Sequence, residues 1–350
     1  MPAAMKSHLA RLLKVESNEV PWLHMGLCAW ATALPLLVGI TQAQPGLAIV
    51  GALCGYLLAL NDHSGKVVHR LLVVTLTFCL LVAGFVAGGV WSLSETAFQL
   101  FLAGFVYWLG LLSGEGGELE RGALFATLGL LIARSTPRLP PQTLQALLLF
   151  SASGYAALMV GIPLTQLWWK QRPLAHATLT ESLRKSLTRR LGKHIHAASY
   201  TLMTLIALWL YHHFGWDRGY WIPITLLLIM KPDRSQSVFM TLQRLTGTLA
   251  AVLLASLTVN SVHEVLIYAA LCIGCAFAVP WARHRNYGLM TFFVTLMVIG
   301  FLEIAVPSHS DARVPLLRLQ ATLIGCGLSL AGSGLSTLLH LLFDRPSVGG

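Results

Sequence analysis

The chain has 350 residues, of which 55% are apolar and 11% are charged, and its mean hydropathy is +0.69. Soluble domains carry about a quarter charged residues, so a water-soluble fold is excluded. The formal net charge of +10 does not indicate nucleic acid, because the basic residues lie between apolar blocks rather than in one water-facing cluster. The composition predicts an integral membrane protein.

The first segment, residues 1–20, sets Leu9, Leu12 and Leu13 against Lys6 and Arg11. This pattern predicts a short amphipathic helix on the cytoplasmic leaflet. The segment has no apolar core before its charges and no cleavage site, so we do not expect a cleaved signal peptide.

Apolar blocks follow, and most are near the roughly 20 residues that a helix needs to cross about 30 Å of hydrocarbon. They lack the polar alternation of barrel strands, so they are predicted to be helices. The predicted fold class is all-α integral membrane, with about twelve transmembrane helices in two six-helix halves, 21–162 and 198–342. The predicted helices are 22–40, 45–60, 69–90, 97–112, 121–134, 143–162, 198–213, 219–230, 243–259, 263–280, 287–304 and 315–341.

A basic linker, residues 163–197, separates the halves, and residues 343–350 form a tail. An N-terminus inside the cell places all but five of the 24 Lys and Arg residues on the cytoplasmic side. This asymmetry predicts cytoplasmic termini and a cytoplasmic linker. The five exceptions are Arg134, Arg138, Arg218, Arg313 and Arg318.

The second half contains two similar segments, R-L-T-G-T-L-A-A from residue 244 and R-L-Q-A-T-L-I-G from residue 318. We call this short internal repeat the echo. The two segments lie three helices apart and so run antiparallel, which is typical of an inverted three-plus-three repeat. Their arginine, threonine and small residues share one helical face, where the small residues allow close helix packing. These residues are Arg244, Gly247, Thr248 and Ala251, and Arg318, Ala321, Thr322 and Gly325. A fainter copy surrounds Arg70 in the first half.

The second predicted helix of each half is short and punctuated by proline, which points to a transporter substrate site. In the second half, Pro223 is expected to leave a backbone carbonyl unpaired one turn earlier. Tyr220 and Trp221 either line the substrate pathway or belong to an interfacial aromatic belt.

Other chemistry is weakly indicated. All six cysteines fall within predicted helices and are interpreted as small hydrophobes, and the histidines lack metal-ligand spacing. We therefore expect no metal or cofactor. Motifs of membrane-embedded enzymes are also missing from the sequence, so the chain is predicted not to be an enzyme.

Several motifs resemble the fusaric acid resistance and aromatic acid exporter (FUSC-type) family, which is distantly related to plant aluminium-activated malate channels. The resemblance is carried by Tyr220-Trp221-Ile-Pro223-Ile-Thr225, Lys231-Pro232-Asp233, Arg244-Leu-Thr-Gly247-Thr248, Asn286-Tyr287 and Arg318 with Thr322 and Gly325. It is good over residues 195–342 and weak over 20–160. It implies a multi-pass protein of the bacterial inner membrane that exports small organic or aromatic acids, in some members with a periplasmic adaptor protein.

The predicted function is therefore export of small organic or aromatic acid anions. An uncoupled organic-anion channel and a non-transporting assembly subunit of an envelope complex remain alternatives. The expected partners are the anion and the lipid bilayer, with a homo-oligomer left open and no nucleic acid. Proton coupling needs a titratable group in the pathway, whereas His263, Glu264 and Glu303 fall near the outer rim. The predicted pathway residues are Arg244, Arg318, Thr248, Thr322, Tyr220, Trp221, Pro223, Asp233 and Arg70.

Overall fold

The structure is a computed structural model, and it describes residues 20–62, 65–89, 94–114, 117–135, 140–167, 184, 191–258, 264–305 and 313–343. The predicted amphipathic N-terminus, most of the linker and the C-terminal tail lie outside these ranges.

The described ranges fold into twelve helices, which confirms the all-helical fold class. Most bounds lie within a few residues of the predicted ones. The helices are α1 (Trp22–Thr41), α2 (Pro45–Asn61), α3 (Val67–Gly89), α4 (Glu95–Leu112), α5 (Glu118–Ser135), α6 (Pro141–Gln166), α7 (Leu191–Phe214), α8 (Trp221–Ile229), α9 (Arg234–Thr258), α10 (Val265–Arg285), α11 (Tyr287–Ala305) and α12 (Val314–Phe343).

Eight of these helices are long and apolar enough to cross a membrane: α1, α3, α4, α6, α9, α10, α11 and α12. Leu100, Leu149 and Leu257 are at least 70% exposed, as expected of side chains that face lipid rather than water. The chain is therefore a multi-pass membrane protein. The nine residues of α8 extend only about 14 Å, so α8 is too short to cross alone and twelve crossings remain a prediction.

Three boundaries differ from the sequence prediction in ways that matter for function. Helix α9 begins at Arg234 rather than near residue 243, because the polar run S-Q-S before Val238 continues the helix. Both ends of the predicted linker are helical, since α6 continues to Gln166 and α7 begins at Leu191.

The helices group into two compact units that each take helices from both sequence halves. Unit 1 contains α1, α2, α3 through Cys79, α6, α9 from Leu242, α10, α11 and the start of α12 through Leu319. Unit 2 contains the rest of α3, α4, α5, α7, α8, the start of α9 through Thr241 and the rest of α12.

Small residues bring helices into close contact within unit 1. A Cβ atom added at Gly51 of α2 would collide with the Phe150 carbonyl of α6, and one at Gly247 of α9 would collide with the Gly288 carbonyl of α11. Backbones approach this closely only where a side chain is missing. The glycines therefore seat α6 on α2 and α9 on α11.

Unit 2 has the same kind of contact. A Cβ atom at Gly84 of α3 would collide with the Ala126 carbonyl of α5, and one at Gly325 of α12 would lie 2.8 Å from the Ile222 carbonyl oxygen of α8. The twelve helices can be divided into four consecutive groups of three, with two groups in each sequence half. Within each half, the third helix of one group contacts the second helix of the other group.

Candidate functional site

Arg244 is the least usual charged residue in the described part of unit 1. It lies ten residues after the start of α9, about 15 Å along the helix, and only 2% of its surface is exposed. Its Nε and Nη2 atoms have no hydrogen-bond partner among the described residues. A buried guanidinium with unused donors is costly unless a ligand or water completes it.

Hydroxyl groups lie close to this arginine. Thr248 is one turn further along α9. Gly247 brings α9 so close to α11 that a Cβ atom added at Gly247 would lie 3.1 Å from the Cβ atom of Thr291. Tyr56 of α2 is close enough to Arg244 for electrostatic interaction. All three hydroxyls are buried, and none has a hydrogen-bond partner within the described ranges. We call Arg244, Thr248, Tyr56 and Thr291 the Arg244 cluster.

The chemistry of the Arg244 cluster suits an anion. A guanidinium is always charged and donates hydrogen bonds in a planar fork that matches a carboxylate. Hydroxyls donate one further hydrogen bond each. Helices α2, α9 and α11 therefore supply two kinds of donor within unit 1, one guanidinium and three hydroxyls.

Arg70, the equivalent arginine of α3, has a different environment. Its Nε and Nη2 donate to the Oδ1 and Oδ2 atoms of Asp62 at 2.9 Å and 2.5 Å, and its Nη1 donates to Thr165 Oγ1 at 3.1 Å. The pair is buried, with side chains 3% and 1% exposed. Arg70 therefore joins the ends of α2, α3 and α6, and its charge is already neutralised.

The end of α2 accepts two further side chains in unit 1. His24 Nε2 lies 2.8 Å from the Ala59 carbonyl oxygen, and Arg283 Nη1 donates to the Leu60 carbonyl at 3.3 Å. The carbonyls at a helix end have no partner inside the helix. These contacts satisfy them with groups from α1 and α10.

Arg318 and Thr322 are both buried on α12. Arg318 is the fifth residue of its helix, whereas Arg244 is the eleventh of α9. The sequence echo therefore aligns two arginines that stand at different depths along their helices. The small residues of the echo, Ala251, Ala321 and Gly325, are also buried.

The pathway residues around α8 have structural contacts. Trp221 is buried, with the Arg218 guanidinium 5.8 Å from its ring centroid. Pro223 lies in the first turn, and the Gly219 carbonyl that it was expected to leave unpaired accepts a bond from the Ile222 N–H at 2.9 Å. Tyr220 immediately precedes the helix.

Asp233 immediately precedes α9 and is exposed. Its carboxylate accepts hydrogen bonds from the backbone N–H and the hydroxyl of Ser235, both at 2.9 Å. These bonds are typical of an N-cap residue, so in this structure Asp233 caps α9.

The sequence interpretation missed the hydroxyls of α2 and α11. Tyr287, Thr291 and Thr295 recur every fourth residue of α11, and the hydroxyl of each is buried without a partner among the described residues. That spacing within an otherwise apolar helix is a signal for a polar face. Tyr56 has no comparable signal, because its neighbours in sequence are small or apolar.

The described residues offer little for metal or thiol chemistry. In the ranges that the structure describes, no group of three or more His, Cys, Asp or Glu side chains could hold a metal ion. The six cysteines are free thiols, and five of them are buried.

Residues 206–332, from within α7 to within α12, match the fusaric acid resistance protein-like family. This match confirms the resemblance to the FUSC-type family that the motifs predict.

Three curated relatives are similar over part of the chain. Uncharacterized proteins of Haemophilus influenzae, Synechocystis and Neisseria gonorrhoeae are 28%, 35% and 26% identical over 136, 133 and 151 residues. These stretches are 38%, 37% and 43% of this chain but only 18%, 17% and 36% of the relatives. The chain thus matches well under half of each relative's length. No solved structure matches it.

Proposed function

We propose that this protein exports small organic or aromatic acid anions across a bacterial inner membrane, and that the Arg244 cluster binds the anion's carboxylate. The observation that carries the proposal is the buried guanidinium of Arg244, whose Nε and Nη2 lack a partner among the described residues. An anion that enters the cluster would offset the cost of burying this charge.

Energetics favour a ligand over a purely structural role. Removing one partner of a buried ion pair costs about 3–5 kcal/mol, and two nitrogens of Arg244 already lack partners in the part of the chain that the structure describes. Arg70 shows what a structural arginine looks like in the same unit, with an aspartate on both of its forked nitrogens. Arg318 and Thr322 are proposed as a second anion contact on α12.

The proposed inverted repeat has support from helix contacts. In the second half, Gly247 of α9 contacts α11 and Gly325 of α12 contacts α8. If α7–α9 and α10–α12 are equivalent repeats, the third helix of each is expected to contact the second helix of the other. The first half repeats it, with Gly84 of α3 on α5 and Gly51 of α2 on α6.

The proposed topology has both termini in the cytoplasm. Contacts between segments assigned to the same side agree with the order of the crossings, although they do not depend on which side is the cytoplasm: Asp62, Arg70 and Thr165 meet at one end of unit 1, and Glu95 meets Arg134 at one end of unit 2. Cysteine placed at Ser310 should react from outside with an impermeant reagent, and cysteine at Ser186 should not. Both positions lie outside the described residues. The reverse labelling would contradict the orientation.

The transport test uses purified protein in lipid vesicles and labelled benzoate, a small aromatic carboxylate. We expect Arg244→Gln to lower benzoate flux at least about tenfold, since one hydrogen-bonded charge is worth about 1.5–3 kcal/mol. Arg244→Lys should recover only part of the flux, because it keeps the charge but not the planar fork.

The control for Arg244 is Arg234→Gln, which removes an exposed arginine from the first turn of the same helix. Thr248→Val has a matched control in Thr246→Val, because Thr246 is exposed and bonds its own helix. Parent-level flux by folded Arg244→Gln would refute the anion site. A deletion strain with unchanged sensitivity to aromatic acids but an altered envelope would favour an assembly subunit.

A further inference from the structure

Unit 2 contains a buried histidine that the anion site does not use. His196 lies in the second turn of α7 and is 2% exposed. Its Nε2 atom has no hydrogen-bond partner among the described residues. One face of its ring stacks on Tyr200, with centroids 5.6 Å apart. An imidazole so placed has one nitrogen available for a proton.

An ion pair stands beside this histidine. Lys231, just after α8, donates from Nζ to Glu120 Oε1 of α5 at 3.1 Å. The backbone N–H and carbonyl of Lys231 are both bonded to Ser237 Oγ, at 2.8 Å and 3.0 Å. The lysine is therefore fixed in position as well as paired. It is close enough to His196 for electrostatic interaction.

Other titratable groups also face this place. His340 of α12 interacts electrostatically with His196, and its ring touches the position that a Gly192 Cβ would occupy. Glu120 acts likewise on Tyr200. His194 is hydrogen-bonded instead, with its Nδ1 2.7 Å from the Tyr107 hydroxyl of α4. The groups around His196 are thus Lys231, His340, Glu120 and Tyr200.

Other buried hydroxyls lie on α7, α8 and α12 of unit 2. Each lacks a hydrogen-bond partner in the described ranges, and α12 contacts α8 directly where Gly325 meets Thr225. Buried hydroxyls without protein partners are normally satisfied by internal water. The hydroxyls are those of Ser199 on α7, Thr225 on α8, and Ser329 and Ser333 on α12.

We propose that His196 is a proton-binding residue that couples anion export to proton entry, with the Lys231–Glu120 pair beside it. The inference rests on the proposed function for its anion. In each cycle one proton binds to Nε2 to form an imidazolium and later leaves from the same atom. No other bond changes.

The physical basis of the coupling is competition for one carboxylate. With His196 neutral, the positive charge of Lys231 is matched by Glu120. Protonation places a second cation beside the pair, and like charges in a low-dielectric interior repel strongly. The two protonation states therefore favour different packing of α7 against α8 and α12, which a transporter needs in order to alternate between two conformations.

The test measures benzoate flux and internal pH in vesicles that hold the full chain. For the parent protein, an imposed pH gradient should accelerate net benzoate flux at least about tenfold above the passive rate in protein-free vesicles, and should drive protons in the direction opposite to benzoate. His196→Gln should lose this response but keep the exchange of labelled for unlabelled benzoate, which requires no net proton movement. The control His213→Gln changes an exposed histidine of the same helix and should retain both activities.

The outcomes separate this inference from the proposed function. If no protein moves benzoate, the proposed function fails. If the parent moves benzoate without protons, the protein is an uncoupled channel and only the proton site fails. A normal gradient response in His196→Gln overturns the assignment. His196→Asn is the second variant if His196→Gln does not fold, and failure of both to fold assigns His196 to structure and also overturns it.

Discussion

Helices α3 and α9 each carry a buried arginine, Arg70 and Arg244, and the two have opposite surroundings. Arg70 binds both oxygens of Asp62 and the hydroxyl of Thr165. Arg244 faces hydroxyls, and two of its nitrogens have no partner among the described residues. Burial alone therefore does not identify a binding residue in this protein. The distinguishing property is whether the protein itself supplies the counter-charge.

The comparison implies opposite effects on stability and transport. The Asp62–Arg70 pair should be needed for folding, whereas the Arg244 guanidinium should weaken the fold and serve the anion. Functional sites commonly retain such locally unfavourable groups.

The largest expected effect comes from removing the counter-charge of Arg70. Asp62→Ala should lower the free energy of unfolding by about 3–5 kcal/mol, because it leaves a buried guanidinium unpaired. Denaturant unfolding of the purified protein in detergent, followed by tryptophan fluorescence, measures this loss. The double variant Asp62→Ala/Arg70→Met should recover part of it, since no charge then remains.

Arg244→Gln provides the matched contrast. It removes a buried charge that lacks full pairing, so the free energy of unfolding should be unchanged or higher. If Arg244→Gln were as destabilising as Asp62→Ala, Arg244 would have a structural role equal to that of Arg70 and the distinction between them would collapse.

The sequence predicts the helices well because apolar runs of this length have few alternatives in a membrane. It also locates Arg244 and Arg318 through the echo around each of them. It does not predict that Asp62 neutralises Arg70 or that Glu120 meets Lys231, because the latter two residues are 111 positions apart. Contacts of that range depend on how helices pack, which periodicity does not specify.

Two further features were outside the reach of the sequence. Helix α9 continues through polar residues that resemble a loop, which moves Arg244 away from the helix start. Each compact unit also takes helices from both halves, so the halves read from the linker are not the units of packing. The short span of α8 was partly anticipated from its prolines.

A smaller effect is expected at the glycine that seats α9 beside α11. Gly247→Ala places a methyl group against the Gly288 carbonyl, and overpacking of this kind costs about 1–3 kcal/mol. Benzoate flux should fall with stability, because Arg244 is one turn away. Gly274→Ala is the control, since its Cβ would meet nothing within 4 Å and alanine favours a helix by up to about 1 kcal/mol. Equal stability of the two variants would show that Gly247 does not set the approach of α9.

The smallest effect is expected at an exposed ion pair that provides a baseline for the buried one. Arg134 Nη2 lies 2.6 Å from Glu95 Oε2, but the two side chains are 27% and 46% exposed. Solvent screens such a pair, so Glu95→Gln should cost only about 0.2–1 kcal/mol. Arg134 keeps its position over the Phe98 ring, 4.7 Å from the centroid, which limits the loss further.

Unfolding at low and high salt separates the exposed pair from the buried one. Added salt should erase most of the cost of Glu95→Gln, while the cost of Asp62→Ala persists. A salt-insensitive loss of several kcal/mol for Glu95→Gln would mean that exposure does not govern the strength of ion pairs in this protein, and the contrast between Arg70 and Arg244 would then need another cause.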